Sequence, residues 1–111
     1  MARLAARVAT VALAALPGPV LAAPPEGDPA AGRAVAEQWC ARCHDIAPGG
    51  AFRQEPPSFA AIAVYRTPER IWAQIVAPQV HTAMPDLASV LGLSAADLTA
   101  YITSLEPPPL P

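Results

Sequence analysis

A run of five residues, Cys40-Ala-Arg-Cys43-His44, holds both cysteines and one of the two histidines of this 111-residue chain. Thiolate sulfur and imidazole nitrogen are nucleophiles and metal ligands, so residues of these types can do chemistry when they stand together. Two residues separate the cysteines, and the histidine follows the second one directly. This spacing is compatible with a redox pair, with half of a metal site, or with the attachment of a larger group.

Two of these three interpretations fit the surrounding sequence poorly. A thioredoxin-like redox pair begins a helix after a strand, whereas a helical stripe of apolar residues precedes Cys40. A zinc site needs four ligands, and only His44 and His81 remain to complete it. Because His44 directly follows Cys43, closing a tetrahedron around the metal would be awkward. The sequence therefore favours the third interpretation, in which Cys-x-x-Cys-His attaches a c-type haem.

Covalent attachment of one haem c gives each residue of the motif a role. The thiols of Cys40 and Cys43 add across the two haem vinyl groups as thioethers, and His44 is placed under the iron as an axial ligand. No free thiol then remains in an oxidising compartment. A buried haem also supplies apolar volume that a small, alanine-rich chain lacks.

The chemistry of a haem protein depends on the ligand opposite the histidine. Met84 is predicted to be this sixth ligand, because it lies 40 residues beyond His44 and Pro85 stiffens its loop. The alternatives are His81, three residues earlier, and an open position. Ligation by histidine and methionine saturates the iron and raises its reduction potential, which favours an electron carrier over an enzyme.

Residues 1–22 are predicted to be a cleaved signal peptide. Two arginines precede the apolar run Val8–Leu16, and small residues follow it, so cleavage is expected after Ala22 or, as second choice, after Ala23. The alternative is a retained membrane anchor, but this run is shorter than the roughly 20 residues that cross a bilayer. The mature protein is therefore expected in a bacterial periplasm.

Charge excludes some partners. Without residues 1–22 the chain has five arginines against nine acidic residues, a net charge of −4, and it contains no lysine. This balance argues against binding to nucleic acid and to anionic membrane surfaces.

Apolar periodicity predicts an all-α domain over residues 23–106 and a flexible proline-rich tail over 107–111. Caps and prolines mark the helix ends. The predicted elements are a helix from Asp28 into Cys40, a loop over 45–57, a short helix within 58–64, a helix from Thr67 to before Pro78, a loop over 79–93, and a last helix from Ser94 to Leu105.

Across this domain the sequence resembles the class I c-type cytochromes. The motifs that carry the resemblance are the attachment motif itself, Gly32 eight residues before Cys40, Leu98 and Tyr101 in the last helix, Pro57-Ser58-Phe59, Arg66 to Glu69, and His81 to Pro85. The resemblance implies three to five helices wrapped around one covalently attached haem, with the N- and C-terminal helices crossing at Gly32. It also implies that the Pro57 carbonyl accepts a hydrogen bond from Nδ1–H of His44.

Two further residues are candidates for contact with the haem. Trp72 could pack on the ring or donate its indole N–H to a propionate, and the alternative is a core tryptophan. Arg66 could pair with a propionate, and the alternative is a solvated arginine.

The expected function is single-electron transfer, with periplasmic or membrane-bound redox proteins as donor and acceptor and no small-molecule substrate. One alternative is a haem-based sensor that binds gases or other ligands. Another is a fixed electron-transfer subunit of a periplasmic dehydrogenase or sulfur-oxidising complex.

Overall fold

The described part of the structure is all-α, as predicted. The computed structural model describes residues 12–18, 23–76, 81, 87–107 and 110, with the backbone alone over 87–91. These residues form four α-helices and no β-strand. The helices are α1 (Pro29–Val35), α2 (Phe59–Tyr65), α3 (Pro68–Val76) and α4 (Leu87–Ser104), and α1 continues as a π-helical segment, Ala36–Cys40.

Helix α1 begins where its capping residues predict. The Asp28 side chain accepts a hydrogen bond of 2.9 Å from the backbone N–H of Ala30, and Pro29 occupies the first turn. A carboxylate at this position satisfies one of the N–H groups that a helix start leaves without a partner. The cap also fixes the direction in which the chain enters α1.

We expect Asp28→Ala to lower the free energy of unfolding by about 1 kcal/mol, because Ala30 N–H loses its acceptor. Asp28→Asn is the matched control, since asparagine caps helices about as well as aspartate. Its free energy of unfolding should lie within roughly 0.3 kcal/mol of the parent's. Urea unfolding followed by circular dichroism measures both. Equal stability of the alanine variant and the parent would contradict the capping role.

Helices α1 and α4 approach closely at Gly32, which is buried. A Cβ built on Gly32 would overlap the backbone carbonyl of Asp97 and would lie 2.9 Å from Cβ of Tyr101. At the residue that directly precedes α1, the backbone N–H of Asp28 donates to Oδ1 of Asp97 at 2.8 Å. The predicted close approach at Gly32 is therefore present, with Asp97 and Tyr101 opposite the glycine.

The start of α4 differs from the prediction. The sequence suggested a loop over 79–93 and a helix capped by Ser94, whereas α4 already begins at Leu87. Residues 87–93 contain no proline, and four of the seven are leucine or alanine, which are strong helix formers. The Asp97 carboxylate, expected to complete a cap with Ser94, accepts instead from Asp28. Of the remaining predicted loop, only residue 81 is among those described.

Small side chains make up almost half of the described core. Of the eleven buried apolar residues in the described part, five are alanines. Helix α3 contributes Ile71 and Ile75, and α4 contributes Leu98, Tyr101 and Ile102. Partly buried residues packed against this cluster include Trp39, Cys40, Ile46 and Trp72.

The described residues of the predicted signal peptide and tail lie outside this core. Residues 12–18 of the predicted signal peptide are exposed and lie in neither helix nor strand, and its other residues lie outside those described. In the predicted tail, Pro107 and Leu110 are described, and both are exposed and outside helices. No helix within the described ranges is both long and apolar enough to cross a bilayer.

Candidate functional site

The two cysteines and His44 lie on one turn that begins at the last residue of the π-helical segment, Cys40. The backbone N–H groups of Cys43 and His44 both donate to the carbonyl of Cys40, at 3.1 and 2.9 Å. Both cysteines are free thiols, with Cys40 partly buried and Cys43 exposed. Burial raises the pKa of the Cys40 thiol to about 11, so this group is protonated at neutral pH.

The imidazole of His44 is held by a backbone carbonyl. Its Nδ1 lies 2.6 Å from the carbonyl oxygen of Pro57, and this contact is the one that the resemblance implied. Because a carbonyl oxygen can only accept, Nδ1 must carry the hydrogen. The Nε2 lone pair of the neutral ring is then free to bind a metal, an arrangement typical of metal-bound histidines.

Hydrogen bonds fix the start of α2, which comes directly after Pro57. The backbone N–H of Phe59 donates to the carbonyl of Asp45 at 2.8 Å, which joins the start of α2 to the residue after His44. Ser58 is fully buried, and its hydroxyl accepts from the N–H of Ala61 at 3.2 Å as the cap of α2. The carbonyl that binds His44 thus belongs to the residue just before the capped start of α2.

The ring of Phe59 packs beside His44, and Tyr101 packs beside Phe59. The ring of Phe59 lies 5.5 Å from the His44 ring, centroid to centroid, and 6.2 Å from that of Tyr101. The Tyr101 hydroxyl donates to the carbonyl of Ile46 at 2.8 Å, which ties α4 to the segment after the motif. The sequence indicated that Tyr101 faces the core, but it did not predict this hydrogen bond or the contact of Phe59 with His44. The signal in the sequence that could have predicted the contact of Phe59 with His44 was its position, two residues after Pro57.

The second histidine, His81, is the rival ligand of the sequence analysis. His81 is half-buried, and its Nδ1 is buried without a hydrogen-bond partner among the described residues. Burial, followed by the charge of His44, lowers the pKa of His81. Met84, the predicted sixth ligand, lies outside the described residues.

The other candidate residues have less defined positions in the site. Trp72 is half-buried and packs against the core cluster. Arg66 is exposed at the end of α2, where its backbone N–H donates to the carbonyl of Ile62. Contact of either side chain with a haem propionate stays a prediction. Between the two cysteines, Arg42 is exposed, and its guanidinium carbon lies 5.4 Å from the centroid of the Trp39 ring.

The donor set fits a c-type haem. Two free thiols stand one turn apart, and the imidazole that follows them has its Nδ1 committed and its Nε2 available. In the ranges that the structure describes, no three His, Cys, Asp or Glu side chains are grouped in a way that could hold a metal ion. Comparison of the chain with protein-family models, curated proteins and solved structures found no match.

Proposed function

We propose that the protein is a class I c-type cytochrome that carries single electrons between redox proteins in the periplasm. One observation carries the proposal: the Nδ1–H of His44, directly after Cys-x-x-Cys, is bound to the Pro57 carbonyl at 2.6 Å. A histidine that only filled the core would gain the same hydrogen bond. The two thiols beside it distinguish this imidazole, because together they form a covalent anchor for haem.

Four residues would hold the cofactor. Cys40 and Cys43 would form the thioethers, His44 would bind the iron through Nε2, and Met84 would be the second iron ligand. When bound, haem supplies an iron centre that gains and loses one electron reversibly. The chain's own part is to fix the His44 ring through Pro57 and to keep water away with its apolar core.

The same arrangement favours a carrier over an enzyme. With His44 and Met84 as ligands the iron has no free position for a substrate. Cys43 is exposed, so the haem edge attached to it would be accessible to another redox protein. Trp72 and Arg66 would lie toward the propionates, where an indole N–H and a guanidinium can offset the carboxylate charges.

We expect the oxidised protein, produced with haem-maturation machinery, to show the weak long-wavelength charge-transfer band of methionine sulfur on ferric iron. Met84→Ala should abolish this band, because no other methionine remains after removal of residues 1–22. Absorption spectroscopy of both proteins measures the effect. A parent that lacks the band and binds carbon monoxide readily when reduced would contradict the carrier function and favour a ligand-binding sensor.

A further inference from the structure

We propose that Tyr101 is a positioning residue for the imidazole of His44. Its hydroxyl holds the backbone just after His44, and in this way it keeps Nδ1–H of His44 bound to the Pro57 carbonyl. This inference rests on the proposed function, since its effect on the iron needs a haem attached beside His44. It goes beyond that function by giving a residue of α4 a part in setting the reduction potential.

The first observation is the partner of the Tyr101 hydroxyl. Tyr101 is buried, and its hydroxyl donates to the carbonyl of Ile46, two residues after His44, at 2.8 Å. No other hydrogen bond among the described residues joins α4 to residues 40–57. The ring alone would fill the core, so the link from α4 to the attachment segment depends on the hydroxyl.

The second observation is a matching hydrogen bond from α2. The backbone N–H of Phe59 donates to the carbonyl of Asp45 at 2.8 Å. The two carbonyls that directly follow His44 are therefore bound from two helices, that of Asp45 from α2 and that of Ile46 from α4. The His44 side chain moves with this backbone, so the two bonds restrict the movement of its ring relative to Pro57.

The third observation is the row of rings from His44 through Phe59 to Tyr101. Phe59 lies 5.5 Å from the first ring and 6.2 Å from the second, centroid to centroid. Tyr101 thus reaches His44 in two ways, through the Ile46 carbonyl and through ring packing. Tyr101→Phe removes the first and leaves the second in place.

The consequence for the iron follows from the chemistry of imidazole. A histidine that donates Nδ1–H to a carbonyl is the more basic at its other nitrogen, and such a bond weakens as its geometry worsens. Without the Tyr101 hydroxyl, the 2.6 Å bond from His44 to Pro57 is less well held, and Nε2 becomes a weaker donor. A weaker donor stabilises ferric iron less, so the reduction potential should rise.

The test compares three holoproteins: the parent, Tyr101→Phe and Thr99→Val. Thr99 is the matched control, because its buried hydroxyl also lies in α4 and donates at 2.7 Å, but to the Ala95 carbonyl of the same helix. We expect Tyr101→Phe to have a higher reduction potential than the parent. Hydrogen exchange of His44 Nδ1–H, followed by nuclear magnetic resonance, should become about fivefold to tenfold faster, as expected for the loss of one hydrogen bond that limits local opening. Thr99→Val should lower the thermal midpoint and leave both values at those of the parent.

Two results would overturn the positioning role. If Tyr101→Phe lowers the thermal midpoint but keeps the parent's potential and His44 exchange rate, the hydroxyl only stabilises the fold. If Thr99→Val shifts both values as far as Tyr101→Phe does, the shifts come from a general loosening of α4. In either case a parent with covalent haem on a denaturing gel leaves the proposed function standing. A parent without covalent haem overturns that function and this inference with it.

Discussion

Cys40→Ala with Cys43→Ala should yield a protein that has no covalent haem and has lost much of its helical structure. Without thiols there is nothing to add to the haem vinyl groups. The second loss follows from the core, where five of the eleven buried apolar residues in the described part are alanines and bury little area each. A domain of this size with such a core depends on an added apolar group or cross-link. Haem staining on a denaturing gel, intact mass and far-ultraviolet circular dichroism measure the two effects.

Arg42→Ala is the matched control, because it changes a residue between the two cysteines and leaves both thiols in place. Arg42 is exposed and contacts the Trp39 ring, so its loss should cost about 0.5–1 kcal/mol of stability and leave attachment complete. The double cysteine variant would contradict the proposed dependence on haem if it kept the parent's helical signal and unfolded cooperatively at the same temperature.

The helix starts that depend on local residues were predictable from the sequence. Asp28-Pro29 begins α1, and Ser58 caps α2. The pair Thr67-Pro68 begins α3, in which the backbone N–H of Arg70 donates to the hydroxyl of Thr67 at 3.4 Å. Each of these signals lies within three residues of the N–H group that it satisfies, so no knowledge of the tertiary structure is needed.

The start of α4 was not predictable in this way. Ser94 and Asp97 have the spacing of a local cap, yet Asp97 accepts from Asp28, which is 69 residues away in the sequence. A carboxylate can serve either partner, and the packing of α1 against α4 decides between them. Sequence spacing does not contain this information.

In the candidate site, too, local features were predictable from the sequence and contacts between distant residues were not. The motif at residues 40–44 was recognisable because its members are adjacent, and the Pro57 contact followed from the resemblance of a short loop. The hydrogen bond from Tyr101 to Ile46 joins residues 55 apart, and the contact of Phe59 with His44 depends on how α2 is placed. The buried, unpartnered nitrogen of His81 could be found only from the structure.

Gly32→Ala is expected to have the largest effect on stability of any single methyl addition in α1. The added Cβ would overlap the Asp97 carbonyl and press on Cβ of Tyr101, and a backbone carbonyl cannot move aside as a flexible side chain can. Overpacking of this kind costs about 3 kcal/mol, which exceeds the gain of roughly 1 kcal/mol from replacing a glycine within a helix. For a domain of this size the net loss should lower the midpoint of thermal unfolding by roughly 8–16 °C.

Gly92→Ala provides the control, because it makes the same chemical change in α4 at an exposed position. A Cβ built on Gly92 meets no described atom within 4 Å, so only the helix-propensity gain remains, and the variant should be more stable by about 0.5–1 kcal/mol. Thermal unfolding of both holoproteins separates the effect of close packing on stability from the effect of helix propensity. If Gly32→Ala were stabilised as much as Gly92→Ala, α1 and α4 would not cross in contact at Gly32. Opposite signs for the two substitutions would show that the same methyl group is excluded at the crossing and accommodated on the exposed surface of α4.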